Sequence, residues 1–254
     1  MNDEGPFFLD IRRVAAEDGS GRAYNALYEE ESLSQIESFY LWLMDRLHLP
    51  ASGTLLDVSC GAGEVVRLAM KRGLKAIGVD ISEVVAREAY RNSGRQASVA
   101  VSAGEHLPFP DTSFDFVTNI GSLEHFVDPA LGVREMARVL RPGGKAFMLV
   151  PNTFSLLTNI WVAFRTGRTS VDHQPIQRYG ARADWVRLLQ SNGLTVRHTA
   201  KYERAWPRLA DDRRYYLRRP KEMLRLLVAP FVPINLAFCF LFTCERSPGV
   251  PQAN

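Results

Sequence analysis

Two acids and a Gly-x-Gly turn stand at spacings that could bind a small ligand. Asp57 lies within a short apolar run, Gly61 and Gly63 follow it, and Asp80 ends a second apolar run. Glycine permits positive φ angles and lets a ligand approach the backbone closely. A helix that begins at such a turn presents unpaired N–H groups and a partial positive charge. The sequence therefore predicts a ligand-binding turn at these residues.

The acid before the turn discriminates between two kinds of cofactor. A dinucleotide-binding fingerprint reads G-x-G-x-x-G and uses the helix N–H groups on a pyrophosphate. Here Val66 stands at the third glycine position, and the carboxylate of Asp57 would repel a pyrophosphate. A carboxylate there suits a ligand with an ammonium group, such as the methionyl end of S-adenosylmethionine. The pattern favours this methyl donor over a nicotinamide cofactor.

The second acid has a different predicted role. A carboxylate at Asp80, at the end of a second strand, can accept hydrogen bonds from both hydroxyls of a ribose. Ile81, next along the chain, can pack flat on an adenine. Asn119 follows a later predicted strand, at the sheet edge where ligands bind, and we expect it to contact the donor.

A parallel sheet is needed to bring these residues together. The predicted strands are 54–59, 75–80, 97–102, 114–119 and 145–151, and the predicted helices between them are 64–72, 82–92 and 129–140. Strands that alternate with helices indicate βαβ units, with helices on both faces of the sheet. We therefore expect an α/β fold with a Rossmann-like, doubly wound sheet.

Several motifs in this region resemble one known family. They are Asp57-Val58-Ser59-Cys60-Gly61-Ala62-Gly63, Glu105-His106-Leu107-Pro108-Phe109 with Ser113-Phe114-Asp115, Ser122-Leu123-Glu124-His125-Phe126, and Arg138-Val139-Leu140-Arg141-Pro142-Gly143-Gly144. Residues 53–151, and more loosely 179–202 and 236–246, are similar to the class I S-adenosylmethionine-dependent methyltransferases of quinone biosynthesis and other small-molecule pathways. The resemblance implies a seven-stranded sheet, mostly parallel with an antiparallel last strand. It places the last two strands at 194–202 and 236–243.

The resemblance and the turn together predict a donor-binding set. Its members are Asp57, Ser59, Cys60, Gly61, Gly63, Asp80, Ile81, Gly104, Glu105 and Asn119. The family often has Asp-Ala-Glu before Leu-Pro-Phe, with the Asp on the adenine amino group, whereas this chain has Ala103, Gly104 and Glu105. The adenine would then rely on the backbone of Gly104 and Glu105. For Cys60 we expect packing rather than nucleophilic chemistry, because the sequence shows no positioned base.

Two histidines are candidates for a general base that acts on the acceptor. The family carries the pair Glu124-His125 whatever its acceptor, so His125 either takes a proton or only caps or lines the donor pocket. His173 lies where this family closes over its acceptor, and the alternative is a surface histidine. A base contributes about 10²–10⁴ in rate, whereas alignment alone supplies roughly 7–11 kcal/mol. The sequence leaves both mechanisms open.

Composition bears on partners and location. The net charge of +3 gives little support for nucleic acid, and the three cysteines form neither a disulfide framework nor a metal cluster. We expect no metal, no signal peptide and a cytoplasmic protein. The uncharged run 226–244 is long enough to cross a bilayer. Pro230, Pro233 and Asn235 interrupt it, so we do not expect a spanning helix.

The segments outside the sheet complete the predicted organisation. Residues 1–50 form an N-terminal helical segment, with weak order over 1–19, and 51–254 form the methyltransferase domain. An acceptor-side segment spans 152–180, and a helical insertion, 205–233, lies between the last two strands. Its basic half precedes an apolar half. It is a solvated cover, or a lid that contacts an anionic membrane from the cytoplasmic side, or, least favoured, an RNA contact.

The predicted function is methyl transfer from S-adenosylmethionine to a small-molecule acceptor. The acceptor would be apolar or lipid-linked and methylated at oxygen or carbon. A donor-binding regulatory protein without activity is the alternative, and a nicotinamide-dependent oxidoreductase is a second one.

Overall fold

The computed structural model describes residue 6 and residues 8–12, 20–30, 35–171 and 174–248. The strands are β1 (Phe8–Arg12), β2 (Thr54–Val58), β3 (Lys75–Asp80), β4 (Ser98–Val101), β5 (Phe114–Ile120), β6 (Leu140–Pro151), β7 (Ile176–Gly180), β8 (Leu194–Tyr202) and β9 (Cys239–Arg246). The α-helices are α1 (Ser20–Glu30), α2 (Glu37–Leu47), α3 (Glu64–Lys71), α4 (Glu83–Asn92), α5 (Pro129–Val139), α6 (Trp161–Thr166), α7 (Arg182–Ser191), α8 (Ala210–Leu217) and α9 (Pro220–Val228). Short 3₁₀ turns cover Leu123–His125, Ala229–Phe231 and Ile234–Leu236, and a π-helical turn covers Leu156–Ile160.

Seven strands form one sheet in the order β4-β3-β2-β5-β6-β9-β8. β9 runs antiparallel to both of its neighbours, and the remaining pairs are parallel. This confirms the predicted seven-stranded α/β fold with an antiparallel last strand. The strand order reverses between β2 and β5, so their carboxyl ends form the switch point at which such sheets bind ligands.

Apolar side chains bury both faces of the sheet. Along β6, Ala146 and Met148 pack on one face with α5 and α7, while Phe147 and Leu149 pack on the other with α2 and α3. The alternation follows from the period of two in a strand. Because both faces are buried, the strands are nearly continuous apolar runs, as in other parallel sheets.

The structure departs from the prediction of weak order at residues 8–12; of the rest of 1–19, all but residue 6 lie outside the described residues. Phe8–Arg12 forms β1, which pairs antiparallel with β7 in a separate two-stranded sheet. The ring of Phe8 packs against Trp185 with 4.7 Å between centroids. Arg178 of β7 donates to the Asp10 carboxylate of β1 at 2.9 Å. These tertiary contacts bring two short strands together from opposite halves of the chain.

The insertion between β8 and β9 is mostly helical, as predicted, and contains α8 and α9. The last strand begins at Cys239 rather than at 236, because Ile234–Leu236 forms a 3₁₀ turn after Pro233. Among the described residues, the model contains no helix with the length and apolar character that crossing a membrane requires.

Candidate active site

The carboxyl ends of β2, β3 and β5 open into a cavity of about 760 Å³. Helix α1 and the segment after β6 close its sides. The predicted donor-binding residues that line the cavity are Asp57, Ser59, Cys60, Gly61, Asp80, Ile81, Gly104 and Glu105, and His125 lines it as well. The strand–turn–helix motif and the Glu-His pair therefore meet in one space.

The turn between β2 and α3 has an unusual backbone. Ser59, Gly61 and Gly63 all have positive φ, at 59°, 52° and 81°. A Cβ on Gly61 would meet only the Oη of Tyr28, at 3.9 Å, so the backbone at Gly61 is open to a ligand. A Cβ on Gly63 would lie 2.8 Å from the Cβ of Ala89. Gly63 does not line the cavity, and its lack of a side chain lets α3 pack against α4. Its part in the predicted donor set stays a prediction.

Asp57 lies almost fully buried beneath this turn. Its Oδ1 accepts a hydrogen bond from Thr118 Oγ1 at 2.6 Å. Burial raises the pKa of Asp57 to about 7, although the Thr118 hydrogen bond opposes the rise, and the charge of Asp80 adds to it. A cation beside this carboxylate would favour its ionised form. The position is suited to an ammonium group.

Asp80 links the turn to the next helix. Its Oδ2 accepts from Gly61 N at 3.0 Å and its Oδ1 accepts from Ser82 N at 2.9 Å. Burial raises the pKa of Asp80, and backbone N–H groups that include Ser82 and Gly61 oppose the rise. Each carboxylate oxygen has two lone pairs, so Asp80 retains capacity for the two hydroxyls of a ribose. Ile81 follows it at the cavity wall.

The Gly104–Glu105 loop packs closely against the segment that follows His125. The Glu105 carboxylate accepts from Val127 N at 2.9 Å, so this side chain holds the loop that follows His125. A Cβ on Gly104 would lie 2.2 Å from Cζ of Phe126, and one on Gly132 would lie 2.4 Å from Cδ2 of the same ring. The Phe126 ring thus occupies a slot between two glycines, and a larger residue at 104 would displace it.

Gly104→Ala is expected to destabilise the fold by about 1–3 kcal/mol, the scale of overpacking in a well-packed core. Urea unfolding measures the difference. Gly21→Ala is the matched control, because its Cβ would meet atoms only at ordinary contact distances of 3.4 Å and more. Alanine is also the better helix former there, so the control should be neutral or stabilising. Equal free energies of unfolding for the two variants would contradict close packing of Phe126 against Gly104.

Asn119 ties β5 to β2. It is fully buried, and its Nδ2 donates to the carbonyl of Val58 at 3.1 Å. It does not line the cavity, whereas Ile120, which follows it, does. A direct contact between Asn119 and the donor stays a prediction.

His125 and Glu124 lie side by side in the cavity wall. Nδ1 of His125 lies 2.5 Å from the carbonyl oxygen of Ile176 in β7. A carbonyl accepts only, so Nδ1 donates its proton, and the neutral ring carries its lone pair on Nε2. That Nε2 lies 3.8 Å from Oε1 of Glu124. The arrangement fits a group that takes up a proton. His173, the other predicted base, lies outside the described residues.

Several cavity residues were not named individually in the sequence prediction, although those of β7 lie within the predicted acceptor-side segment 152–180. Tyr24 and Tyr28 of α1, at a helical spacing of four, cover the donor end, and Gln177 and Tyr179 of β7 line the acceptor end. Burial raises the pKa of Tyr28, and Asp80 adds to the rise. The i, i+4 aromatic pair was a signal that could have been used. No comparable signal marks β7, because its place at the cavity depends on pairing with β1.

Residues 56–148 match a family model described as a methyltransferase domain. The chain carries a class I methyltransferase domain. Over 149 residues it is 36% identical to methyltransferase GfsG of Streptomyces halstedii, covering 55% of this chain and 54% of the relative. Over 102 residues it is 40% identical to a ubiquinone biosynthesis O-methyltransferase of Idiomarina loihiensis, covering 39% of this chain and 42% of the relative.

The chain spans about half the length of the curated relatives that it matches. Solved structures extend the likeness in fold. An S-adenosylmethionine-dependent methyltransferase from Mesorhizobium loti superposes with a TM-score of 0.59 at 17% identity, covering 82% of this chain and 98% of that one. The methyltransferase domain therefore places its Gly-x-Gly turn, both acids and the Glu-His pair around one cavity.

Proposed function

We propose that this protein transfers a methyl group from S-adenosylmethionine to a small-molecule acceptor, at oxygen or carbon. One observation carries the proposal. Asp57, Asp80, the open backbone of Gly61 and His125 all line one cavity. A ligand that spans the cavity would place its reactive centre between the acids and the imidazole.

The donor end fits S-adenosylmethionine group by group. Asp57 would bind the ammonium, Asp80 would accept from the ribose hydroxyls, and Ile81 would pack on the adenine. When bound, S-adenosylmethionine supplies a methyl group on a sulfonium, which an acceptor atom displaces in line. Tyr24 and Tyr28 of α1 would cover the donor and exclude water, which strengthens the electrostatic contacts inside the cavity.

The acceptor end favours oxygen as the methylated atom. A hydroxyl must lose a proton as it is methylated, and Nε2 of His125 is placed to accept one. Its Nδ1 contact to the Ile176 carbonyl fixes the tautomer that such a base requires. Glu124 lies close enough to stabilise the imidazolium that forms. Relatives named for O-methylation and for C-methylation in quinone biosynthesis are both similar to this chain, so the preference for oxygen rests on His125.

Two measurements test the proposal. Calorimetry should show binding of S-adenosylmethionine and no binding of NAD. Incubation with methyl-labelled donor and fractionated metabolites and lipids should transfer label into one fraction. Binding of NAD instead would favour an oxidoreductase. Donor binding without transfer into any fraction would favour the alternative of a regulatory donor-binding protein.

Donor affinity is expected to rise with pH between about 5 and 7. In the free protein the pKa of Asp57 is raised to about 7, so at lower pH this carboxyl holds a proton. An ammonium group binds the ionised form, so donor binding below pH 7 must release that proton. The dissociation constant should then fall by up to roughly tenfold per pH unit below 7. Calorimetry at pH 6 in buffers of different ionisation enthalpy detects the released proton.

Asp57→Asn provides the control, because the amide can still accept from Thr118 but cannot ionise. Its donor affinity should be weaker and independent of pH over this range. The folded-state pKa of Asp57 lies above the unfolded value, so its stabilising effect is complete below about pH 4 and is lost as pH rises through 7. Asp57→Asn should lack this decline. A wild-type affinity that is flat from pH 5 to 7 would contradict the assignment.

A further inference from the structure

We infer that the acceptor side of this protein docks on an anionic lipid surface through an apolar patch formed by α6, α9 and the turn after α9. The patch consists of Trp161, Phe164, Leu224, Leu227 and Phe231. The inference rests on the proposed function, because it names the surface from which an amphipathic acceptor enters the cavity.

The side chains of the patch are unusually exposed for their size. Phe164 is 79% exposed and Phe231 83% exposed, and each of the other three is more than half exposed. Trp161 and Phe164 are three residues apart in α6, with ring centroids separated by 6.1 Å. Clustered apolar side chains of this kind on a protein surface mark an interaction site.

Helix α9 shows which of its side chains can reach a partner. Leu226 is 3% exposed and packs inward, whereas Leu224 and Leu227 point outward. Val232 is also 3% exposed. Leu226 and Val232 are therefore unable to contact a membrane surface, whereas Leu224, Leu227 and Phe231 are exposed and can.

One hydrogen bond links the segments that carry the two parts of the patch. Arg225 of α9 donates from Nη2 to the carbonyl of Leu157 at 2.6 Å, in the π-helical turn that leads directly into α6. Lys201 of β8 donates to the carbonyls of Ala229 and Pro230 at 3.0 and 2.9 Å, which fixes the turn that carries Phe231. The patch is thus held on fixed backbone.

Positive charge surrounds the patch. The exposed basic residues on α6, α8 and α9, or directly after α6 and α8, are Arg165, Arg168, Arg213, Arg214, Arg218, Arg219 and Lys221. Asp211 pairs with Arg214 at 3.1 Å, and Glu222 pairs with Arg204 and Arg225. The remaining cations are exposed, and Arg165 and Arg219 among them stack on the rings of Trp161 and Tyr215. An interfacial segment that binds anionic lipid has this combination of charge and apolar surface.

The patch frames the acceptor end of the cavity. Ser155, Thr158 and Asn159, which line the cavity, immediately precede α6. The backbone that follows the insertion is held by Asn152, which donates from Nδ2 to the carbonyls of Asn235 and Ala237, each at 2.9 Å. A polar, hydroxyl-bearing head could enter among these side chains while an apolar remainder stays at the lipid surface. The acceptor class that fits is amphipathic.

Vesicle sedimentation tests the docking. With vesicles of phosphatidylglycerol and phosphatidylcholine in equal parts, the wild-type protein should pellet at about 0.05 M salt and be released at about 0.5 M, where screening is strong. Vesicles of phosphatidylcholine alone should bind at least tenfold less protein. Replacement of Arg213, Arg214, Arg218 and Arg219 by Gln should abolish pelleting. The double change Phe164→Ser and Phe231→Ser should lower it at least tenfold.

A charge-matched control carries Gln at Lys71, Arg87, Arg91 and Arg95, which are basic residues of α3, of α4 and of the loop after α4. It should pellet like the wild type. Donor affinity, measured by calorimetry, should be unchanged in every variant. Wild-type protein that stays in solution with anionic vesicles at low salt would overturn the docking. So would a control variant that loses as much vesicle binding as the variant of Arg213, Arg214, Arg218 and Arg219. Intact vesicle binding with no affinity for S-adenosylmethionine would instead overturn the proposed function and leave the docking standing.

Discussion

Asp80→Ala is expected to weaken binding of S-adenosylmethionine by roughly 10- to 150-fold. This corresponds to about 1.5–3 kcal/mol, the scale of hydrogen bonds to a charged group. The loss has two sources. The variant cannot accept from the ribose hydroxyls, and it no longer holds the turn through Gly61 N and the start of α4 through Ser82 N. Calorimetry with the folded variant measures the change.

A control separates donor binding from general destabilisation. Asp115, at the amino-terminal end of β5, also ties neighbouring backbone, because it accepts from Thr54 N at 2.8 Å and pairs with Arg141 at 2.7 Å. Asp115→Ala should lower the free energy of unfolding and leave donor affinity unchanged. Unchanged affinity in Asp80→Ala, with an intact fold, would mean that the donor lies elsewhere in the cavity.

The donor half of the cavity could be predicted because its determinants are local. Asp57, Gly61 and Asp80 belong to one strand–turn–helix–strand segment, so the alternation of apolar runs already places them at one sheet edge. The turn also distinguished an ammonium ligand from a pyrophosphate. For Asn119 the sequence could not decide, because successive side chains of a strand point to opposite faces and it is Ile120 that lines the cavity. The donor contact expected of Asn119 stays a prediction.

The acceptor half could not be predicted in the same way. It is formed by β7 and the segment after β6, and β7 is held in place by pairing with β1, which is far away in the sequence. Arg178 illustrates this, because it joins Asp10 of β1 to the carbonyl of Phe126 at 3.0 Å. The sequence pattern of β1 or of β7 alone does not indicate that the two strands pair. The tertiary contact overrides the weak local signal.

In the apolar half of the insertion, the sequence could not predict which side chains are exposed, and the reason is different. Residues 226–234 contain no charged side chain that would mark a solvent-facing side. An amphipathic pattern identifies a buried face only by contrast with polar positions. Leu226 and Leu227 therefore look alike in the sequence, yet Leu226 is 3% exposed and Leu227 54% exposed. The difference arises from the way α9 packs on the rest of the protein, which buries Leu226 and leaves Leu227 in solvent.

The largest expected effect on turnover comes from His125→Ala, which should lower the rate of methyl transfer about 10²-fold or more. The variant removes the Nε2 that accepts the proton of an acceptor hydroxyl, and the donor end, formed by Asp57 and Asp80, stays intact. Donor affinity should therefore remain unchanged. The rates are measured with the acceptor found by labelled transfer, and donor affinity is measured by calorimetry.

The pH dependence of turnover distinguishes a general base from a residue that only lines the cavity. A neutral imidazole is needed to accept the proton, so wild-type turnover should fall on the acid side of the profile, and His125→Ala should lack this fall. Glu124→Gln keeps the shape of the side chain and removes the charge that lies 3.8 Å from Nε2, so its loss should be smaller than that of His125→Ala. A parallel loss of turnover and donor affinity in His125→Ala would make His125 a structural part of the donor pocket. Unchanged turnover would leave alignment of donor and acceptor, which can supply roughly 7–11 kcal/mol, as the source of the rate.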